Sequence, residues 1–123
     1  MQINNKLMGT ILYNNTSGSN STITLNDNIS NYSYLEIYGF EVQGQNQVYT
    51  KYDTNSGKNI NLFSMIVLQT GNLIRITAQS YTPSGNILTV ESSKTGHANI
   101  FTKTINEQNS TGDIKITKVI GIK

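Results

Sequence analysis

The chain has 123 residues, no cysteine and a net charge of +2, and only 13% of its residues are charged. This length suits one domain spanning residues 1–123, which would bury roughly two-thirds of the surface that its unfolded chain exposes. The lack of cysteine excludes disulfides and thiolate metal sites, and the small, dispersed positive charge argues against a nucleic-acid partner.

Neutral polar residues dominate the composition, since Asn, Ser and Thr make up about a third of the chain. Such surfaces are common on extracellular and virion proteins. No apolar stretch approaches the roughly 18 to 20 residues that a membrane span needs, and residues 1–8 are too polar for a signal peptide. We therefore expect no membrane insertion. If the protein reaches an extracellular setting, it does so without a Sec-type signal, as when virions are released by cell lysis.

Runs of β-branched and aromatic residues recur between Ser-, Gly- and Asn-rich breaks, and no helical period lasts two turns. This pattern predicts about nine strands, at residues 6–13, 22–25, 34–42, 47–52, 59–68, 73–81, 87–92, 99–105 and 114–122. Residues 1–5 would be a loose lead-in or a strand carried over from a longer parent chain, and 14–20 a polar run that ends the first strand. Strands at this spacing favour an all-β fold, an antiparallel, jelly-roll-like β-sandwich, with a closed barrel as the alternative.

Alternation within a strand predicts which side chains share a face. In the third strand, Leu35 and Ile37 are expected to face the core, and Tyr34, Glu36 and Tyr38 to face away.

The sixth strand shows the same alternation. Its apolar residues are expected inside and its polar residues outside: Ile74, Ile76 and Ala78 inward, Arg75, Thr77 and Gln79 outward. The fifth strand, at residues 59–68, is apolar on both faces and is expected to be central.

Two segments have the composition of turns. Residues 53–57, Asp-Thr-Asn-Ser-Gly, are expected to join the fourth and fifth strands as a hairpin. A calcium loop is the weaker interpretation, because the glycine falls one place early and no glutamate follows at the required distance. Residues 83–86, Pro-Ser-Gly-Asn, form the strongest turn signal in the chain.

No reactive constellation is visible in the sequence. The one histidine, His97, has no second histidine and no cysteine to complete a metal site or a nucleophile pair, so we interpret it as an ordinary loop residue. The seven carboxylates are scattered, and no pair suggests a glycosidase. The sequence therefore predicts a protein that is not an enzyme and that needs no cofactor or metal.

Tyrosine is the residue type that indicates binding, because its ring offers a flat apolar face and a hydroxyl group. Most of the seven tyrosines are expected to cover the core, whereas Tyr49, Tyr52 and Tyr81 lie close to turns that carry hydrogen-bonding groups. The candidate saccharide-binding residues are three tyrosines, three turn residues and one cation: Tyr49, Tyr52, Tyr81, Asp53, Asn55, Asn86 and Arg75.

Two stretches of the chain carry a family resemblance. The first runs from Leu12-Tyr13 through a Ser/Gly/Asn run and Thr-Ile-Thr-Leu at 22–25 to Leu-Glu-Ile-Tyr at 35–38, and the second is Ile-Thr-Lys-Val-Ile-Gly-Ile-Lys at 116–123. This pattern resembles the C-terminal β-sandwich domain of structural proteins of tailed bacteriophages and prophages, which occurs in tail fibres, baseplate and receptor-binding proteins, and head fibres. The resemblance covers the first third and the last ten residues.

The resemblance implies a virion module, commonly a homotrimer, that contacts other virion proteins and host surface saccharides. It supplies no catalytic or ligand residues, and the Asn, Lys and Ile bias suggests a phage of a low-GC Gram-positive host. The leading hypothesis is a non-enzymatic receptor-binding domain for cell-wall polysaccharide or teichoic acid, located in the virion. The alternatives are a purely architectural module, such as a trimerising cap or decoration, and a stand-alone carbohydrate-binding module.

Overall fold

The computed structural model describes residues 9–43, 45–67, 73–99, 101–109 and 114–123, and side chains are described in these ranges except at 107–109. Within them lie nine strands and one short 3-10 helix at Ile29–Asn31. The strands are β1 (Thr10–Ser19), β2 (Ile23–Thr24), β3 (Tyr34–Glu41), β4 (Gln47–Asp53), β5 (Ile60–Val67), β6 (Leu73–Ser84), β7 (Ile87–Asn99), β8 (Thr104–Asn109) and β9 (Ile114–Ile122).

The strands form two antiparallel sheets that pack face to face. The first sheet has the order β1-β9-β3-β4, and the second has the order β2-β7-β6-β5, with β8 also paired to β7. The first and last strands are neighbours, and the chain crosses between the sheets after β1, β2, β4 and β8. The prediction of an all-β, jelly-roll-like antiparallel sandwich of about nine strands is confirmed.

The apolar core lies between the sheets. Leu35 and Ile37 of β3 are completely buried, and the side chains that alternate with them face solvent, as predicted. The core brings together residues from every strand except β8: Leu12, Ile23, Leu25, Ile29, Tyr32, Leu35, Ile37, Val48, Tyr52, Ile60, Leu62, Tyr81, Leu88, Ile114, Ile116 and Val119. Burying one large aliphatic side chain stabilises the fold by about 1.5 to 3 kcal/mol.

Several predicted boundaries are wrong. β1 continues through the polar run to Ser19, because among the described residues it pairs only with β9 and can present Asn and Ser side chains to water. β6 continues through Pro83 to Ser84, so that the turn itself is Gly85-Asn86, with Gly85 at a φ of 62°. β7 continues to Asn99, which places His97 in a strand rather than a loop. The expected lead-in at 1–5 lies outside the described residues.

The hairpin expected between β4 and β5 does not exist. Residues 53–57 do form a turn, with the Ser56 amide donating to the Asp53 carbonyl at 3.0 Å, but β4 and β5 belong to different sheets. The turn therefore carries the chain from one sheet to the other. β5 is also an edge strand, paired only with β6 among the described residues, rather than the central strand that its two apolar faces suggested.

The faces of β6 are the reverse of the predicted ones. Thr77 and Gln79 are 1% exposed, whereas Ile76 is 42% exposed and Ala78 also faces solvent. The inward position is possible because the polar groups have partners. The Gln79 side-chain amide donates to the Ile114 carbonyl at 2.9 Å and to the Tyr81 hydroxyl at 2.5 Å. Where side chains are described, every buried side-chain nitrogen and oxygen has a hydrogen-bond partner, so the reversed strand incurs no desolvation penalty for unpaired groups.

Candidate functional site

Three tyrosines lie on the solvent side of the first sheet. β3 and β4 pair so that Tyr38 lies opposite Tyr49, and Glu36 lies opposite Lys51. Tyr34 lies two residues before Glu36 on β3, and its side chain is on the same side of the sheet. We call this surface the tyrosine face, and it consists of Tyr34, Glu36, Tyr38, Tyr49 and Lys51.

The rings of Tyr38 and Tyr49 contact each other across the two strands. Their centroids are 5.0 Å apart and their planes are inclined by 52°, within the range of favourable aromatic pairs. The Tyr49 hydroxyl donates a hydrogen bond of 2.7 Å to the Glu36 carboxylate. This bond and the ring contact hold Tyr49 in place although half of its surface, 51%, is exposed.

Lys51 lies above the ring of Tyr34 at the other end of the tyrosine face. Its ammonium nitrogen is 4.5 Å from the ring centroid, which is a cation–π contact. Tyr34 remains 40% exposed. The tyrosine face therefore alternates apolar ring surface with one carboxylate and one ammonium group.

The hydrogen bond to Glu36 raises the pKa of Tyr49 to about 12, with smaller contributions from desolvation and from the negative charge of the carboxylate. At neutral pH the phenol is therefore un-ionised and acts as a donor. Glu36 keeps further lone pairs that can accept from other hydroxyl groups. Exposed rings flanked by hydrogen-bonding groups can stack on a sugar ring and hold its hydroxyls.

Only Tyr49 among the predicted tyrosines belongs to this surface. The expectation that Tyr52 and Tyr81 are surface residues is wrong, because their exposed fractions are 8% and 0%. The Tyr52 hydroxyl donates to the Lys58 carbonyl at 2.6 Å, which lets the ring fill the core while its polar end is satisfied. Burial raises the pKa of Tyr81 to about 12.

Arg75 is not the surface cation that the sequence suggested. Its guanidinium Nη2 forms a salt bridge of 2.8 Å with a carboxylate oxygen of Glu41, and the two side chains are 12% and 1% exposed. Thr77 donates to the other carboxylate oxygen at 3.1 Å. Arg75 therefore neutralises a buried charge between the sheets.

The predicted turn residues Asp53, Asn55 and Asn86 are exposed and lie at one end of the sandwich. Asp53 is paired with Tyr34 in the sheet register, next to the tyrosine face. The Asn86 side chain donates to the Leu25 carbonyl at 3.4 Å. A shallow depression of about 190 Å³ at this end is lined by turn and strand residues: Ile29, Tyr52, Thr54, Gly57, Lys58, Asn59, Thr82 and Pro83.

Sequence reasoning missed four members of the tyrosine face, namely Tyr34, Glu36, Tyr38 and Lys51. The signal was available, because alternation placed three of them on one side of β3, and consecutive strands usually pair. Aligning 34–38 against 49–53 would have brought the rings together.

In the described part of the chain, no group of three or more His, Asp or Glu side chains could hold a metal ion. No helix in the same ranges is long and apolar enough to cross a membrane. Comparison of the chain with family models, with curated proteins and with solved structures finds no match. The resemblance to phage structural domains therefore stays a prediction.

Proposed function

We propose that this chain is a non-enzymatic receptor-binding domain of a bacteriophage virion, which recognises cell-wall polysaccharide or teichoic acid of its host. The observation that carries the proposal is the tyrosine face, where three tyrosine rings lie around a carboxylate on one solvent-accessible sheet. A sheet presents the side chains of each strand at regular spacing, which suits an extended polymer with repeating sugars. The virion setting is supported by the strand patterns at 12–38 and 116–123.

The charges on this sheet favour an anionic polymer. Among the described residues, the strands of this sheet carry three lysines on their outward side: Lys51 of β4, and Lys115 and Lys118 of β9. They accompany two carboxylates, those of Glu36 and Asp53. Teichoic acid combines sugars or polyols with phosphate, and its phosphates would lie near the lysines. Binding should therefore weaken as ionic strength rises, because exposed charges are screened beyond about 10 Å at 0.1 M salt.

The proposal is tested by titrating purified Gram-positive wall polysaccharide, with and without teichoic acid, into the protein. Tyr38→Ala and Tyr49→Ala should each weaken binding by about 1 to 2 kcal/mol, which is about five- to thirtyfold. Phe101→Ala is the matched control, since it removes an aromatic ring that is 78% exposed in the turn before β8. Absence of binding, or an equal loss in the control, would contradict the proposal.

An architectural virion module is the second candidate, and one observation favours it. The solvent side of the second sheet exposes large apolar side chains, among them Phe63 at 68% and Met65 at 61%. Protein neighbours in an assembly would cover such a surface. If the tyrosine substitutions leave glycan adsorption unchanged but alter assembly, this role replaces the receptor-binding one. The homotrimer that the resemblance implies stays a prediction.

A further inference from the structure

The outer side of the second sheet carries the largest exposed apolar side chains of its strands. Five of them are between 42% and 79% exposed: Phe63, Met65 and Val67 of β5, Ile76 of β6 and Ile105 of β8. We call this surface the apolar face.

The apolar face spans four strands in its first row and three in its second. The rows follow the strand register: Val67, Ile74, Ala98 and Ile105 in the first, Met65, Ile76 and Gly96 in the second, and Phe63 and Ala78 in the third, where Lys94 of β7 ends the apolar surface. Side chains directly opposite each other in antiparallel strands are in contact. The exposed residues therefore form one patch rather than isolated positions.

The inner side of β6 and β7, behind the apolar face, is polar, and its buried groups are hydrogen-bonded. Thr77 donates to Glu41, and the Ser93 hydroxyl donates to the Gln79 side chain at 3.2 Å. A slip of one residue would expose these bonded groups and break their hydrogen bonds. The outward apolar residues of β6 are therefore held outward by the polar network behind them, and those of β5 by the burial of Ile60 and Leu62 on its inner side.

The apolar face has a ridge and a groove. Phe63, Met65 and Val67 form the ridge on β5, whereas β7 carries Ala98 and Gly96 at the levels of Val67 and Met65, and Lys94 at the level of Phe63. A groove of about 250 Å³ runs beside the ridge, lined by Ile76, Ala78, Lys94, Gly96 and Ile105. Large side chains and an empty groove thus occupy the two halves of one surface.

We propose that the apolar face binds the apolar face of a second copy of this chain, about a two-fold axis. A two-fold contact requires a self-complementary surface, and here the ridge of each copy would fill the groove of the other. In a three-fold ring, one surface of each chain contacts a different surface of the next chain. The apolar face would then not pair with itself, and part of it would stay uncovered. This pairing does not depend on the saccharide function.

The size of the face fits such a contact. Seven residues of β5, from Asn61 to Val67, extend for about 23 Å. Four strands at a spacing of about 4.8 Å are about 19 Å wide, so this part of the sheet has a projected area of roughly 450 Å². Side chains make the accessible area larger than the projection, so it approaches the about 800 Å² per partner of a standard interface. Among the described side chains that line the groove, Lys94 is the one that carries a charge, so few of these side chains would bury a charged group.

The test is the molar mass of the protein in solution, measured by light scattering and sedimentation equilibrium. Protein concentrations up to about 100 µM are sufficient, because interfaces of this size give micromolar or tighter affinity. The wild-type chain should have twice the 13.6 kDa of one copy. Met65→Lys combined with Ile76→Lys places two ammonium groups at directly opposed positions of the face. This variant should be monomeric, with a dissociation constant raised at least about a hundredfold.

Ile11→Lys is the matched control, because Ile11 is 51% exposed on the first sheet and its substitution should leave the dimer intact. Circular dichroism melting of all variants shows that the monomer is folded, since the substituted side chains are exposed in one copy. A wild-type monomer across the concentration range, a trimer, or a dimer unaffected by the double substitution would overturn the pairing.

Discussion

Arg75 of β6 reaches across the sandwich to Glu41 of β3, with a guanidinium nitrogen 2.8 Å from a carboxylate oxygen. The two residues belong to different sheets, so the ion pair joins the sheets at a level where the core is polar. Arg75 Nε also donates to the other carboxylate oxygen at 3.4 Å, and Thr77 adds a third hydrogen bond to the same carboxylate. A buried carboxylate of this kind depends on its cation, because a lone charge in the interior is costly.

Removing the cation should therefore destabilise the fold more than removing the whole pair. We expect Arg75→Met to lower the free energy of unfolding by about 3 to 5 kcal/mol, because Glu41 is left buried without its counter-ion. The double variant Glu41→Leu, Arg75→Met should lose clearly less. Urea denaturation of the four proteins in the cycle measures this, and an equal or larger loss in the double variant would contradict it.

Gly121 of β9 lies against the ring of Tyr32. A β-carbon at this position would be 2.6 Å from a ring carbon, so Gly121→Ala forces the ring or the strand to move. We expect a loss of about 1 to 3 kcal/mol in the free energy of unfolding. In a Tyr32→Ala background the same substitution should cost less than about 0.5 kcal/mol, and additive losses would show that the ring is not the cause.

Tyr81 should make the fold sensitive to alkaline pH. Burial raises its pKa from 10.0 to about 12, so the folded chain binds this proton more tightly than the unfolded chain. The stabilisation is complete below pH 10 and is lost as pH rises through 12, an effect of about 2 to 3 kcal/mol. Urea midpoints at pH 9 and pH 11.5 measure the loss. Tyr81→Phe should show a smaller decline, and an unchanged slope would refute the assignment.

Tyr49 should titrate abnormally because of Glu36. Its pKa near 12 arises first from the hydrogen bond to that carboxylate, so Glu36→Gln should lower the pKa toward the ordinary value of 10.0. Ring-labelled NMR titration follows Tyr49 directly. Glu91→Gln is the control, because Glu91 is exposed and accepts from Thr82 on the other sheet. A similar shift in both variants would exclude the Glu36 contact as the cause.

Much of the fold could be predicted because it depends on local patterns. Alternation in β3 correctly placed Leu35 and Ile37 inside, since the flanking residues on that strand gave one clearly apolar side.

The candidate site was predicted less well. Tyr81 was expected at the surface because it adjoins a turn, yet its ring fills the core and its hydroxyl accepts from Gln79. Proximity to a turn in sequence does not specify which way a ring points.

The sequence by itself determined that this chain forms strands and which side chains share a face, because successive residues of a strand point to opposite sides. Only the tertiary structure decided which face of β6 is buried, since the partners of its polar side chains, Glu41 and Ile114, lie more than 30 residues away along the chain. Packing of the two sheets brought those partners together. It also left the rings of Tyr38 and Tyr49 in contact on the solvent side of the first sheet.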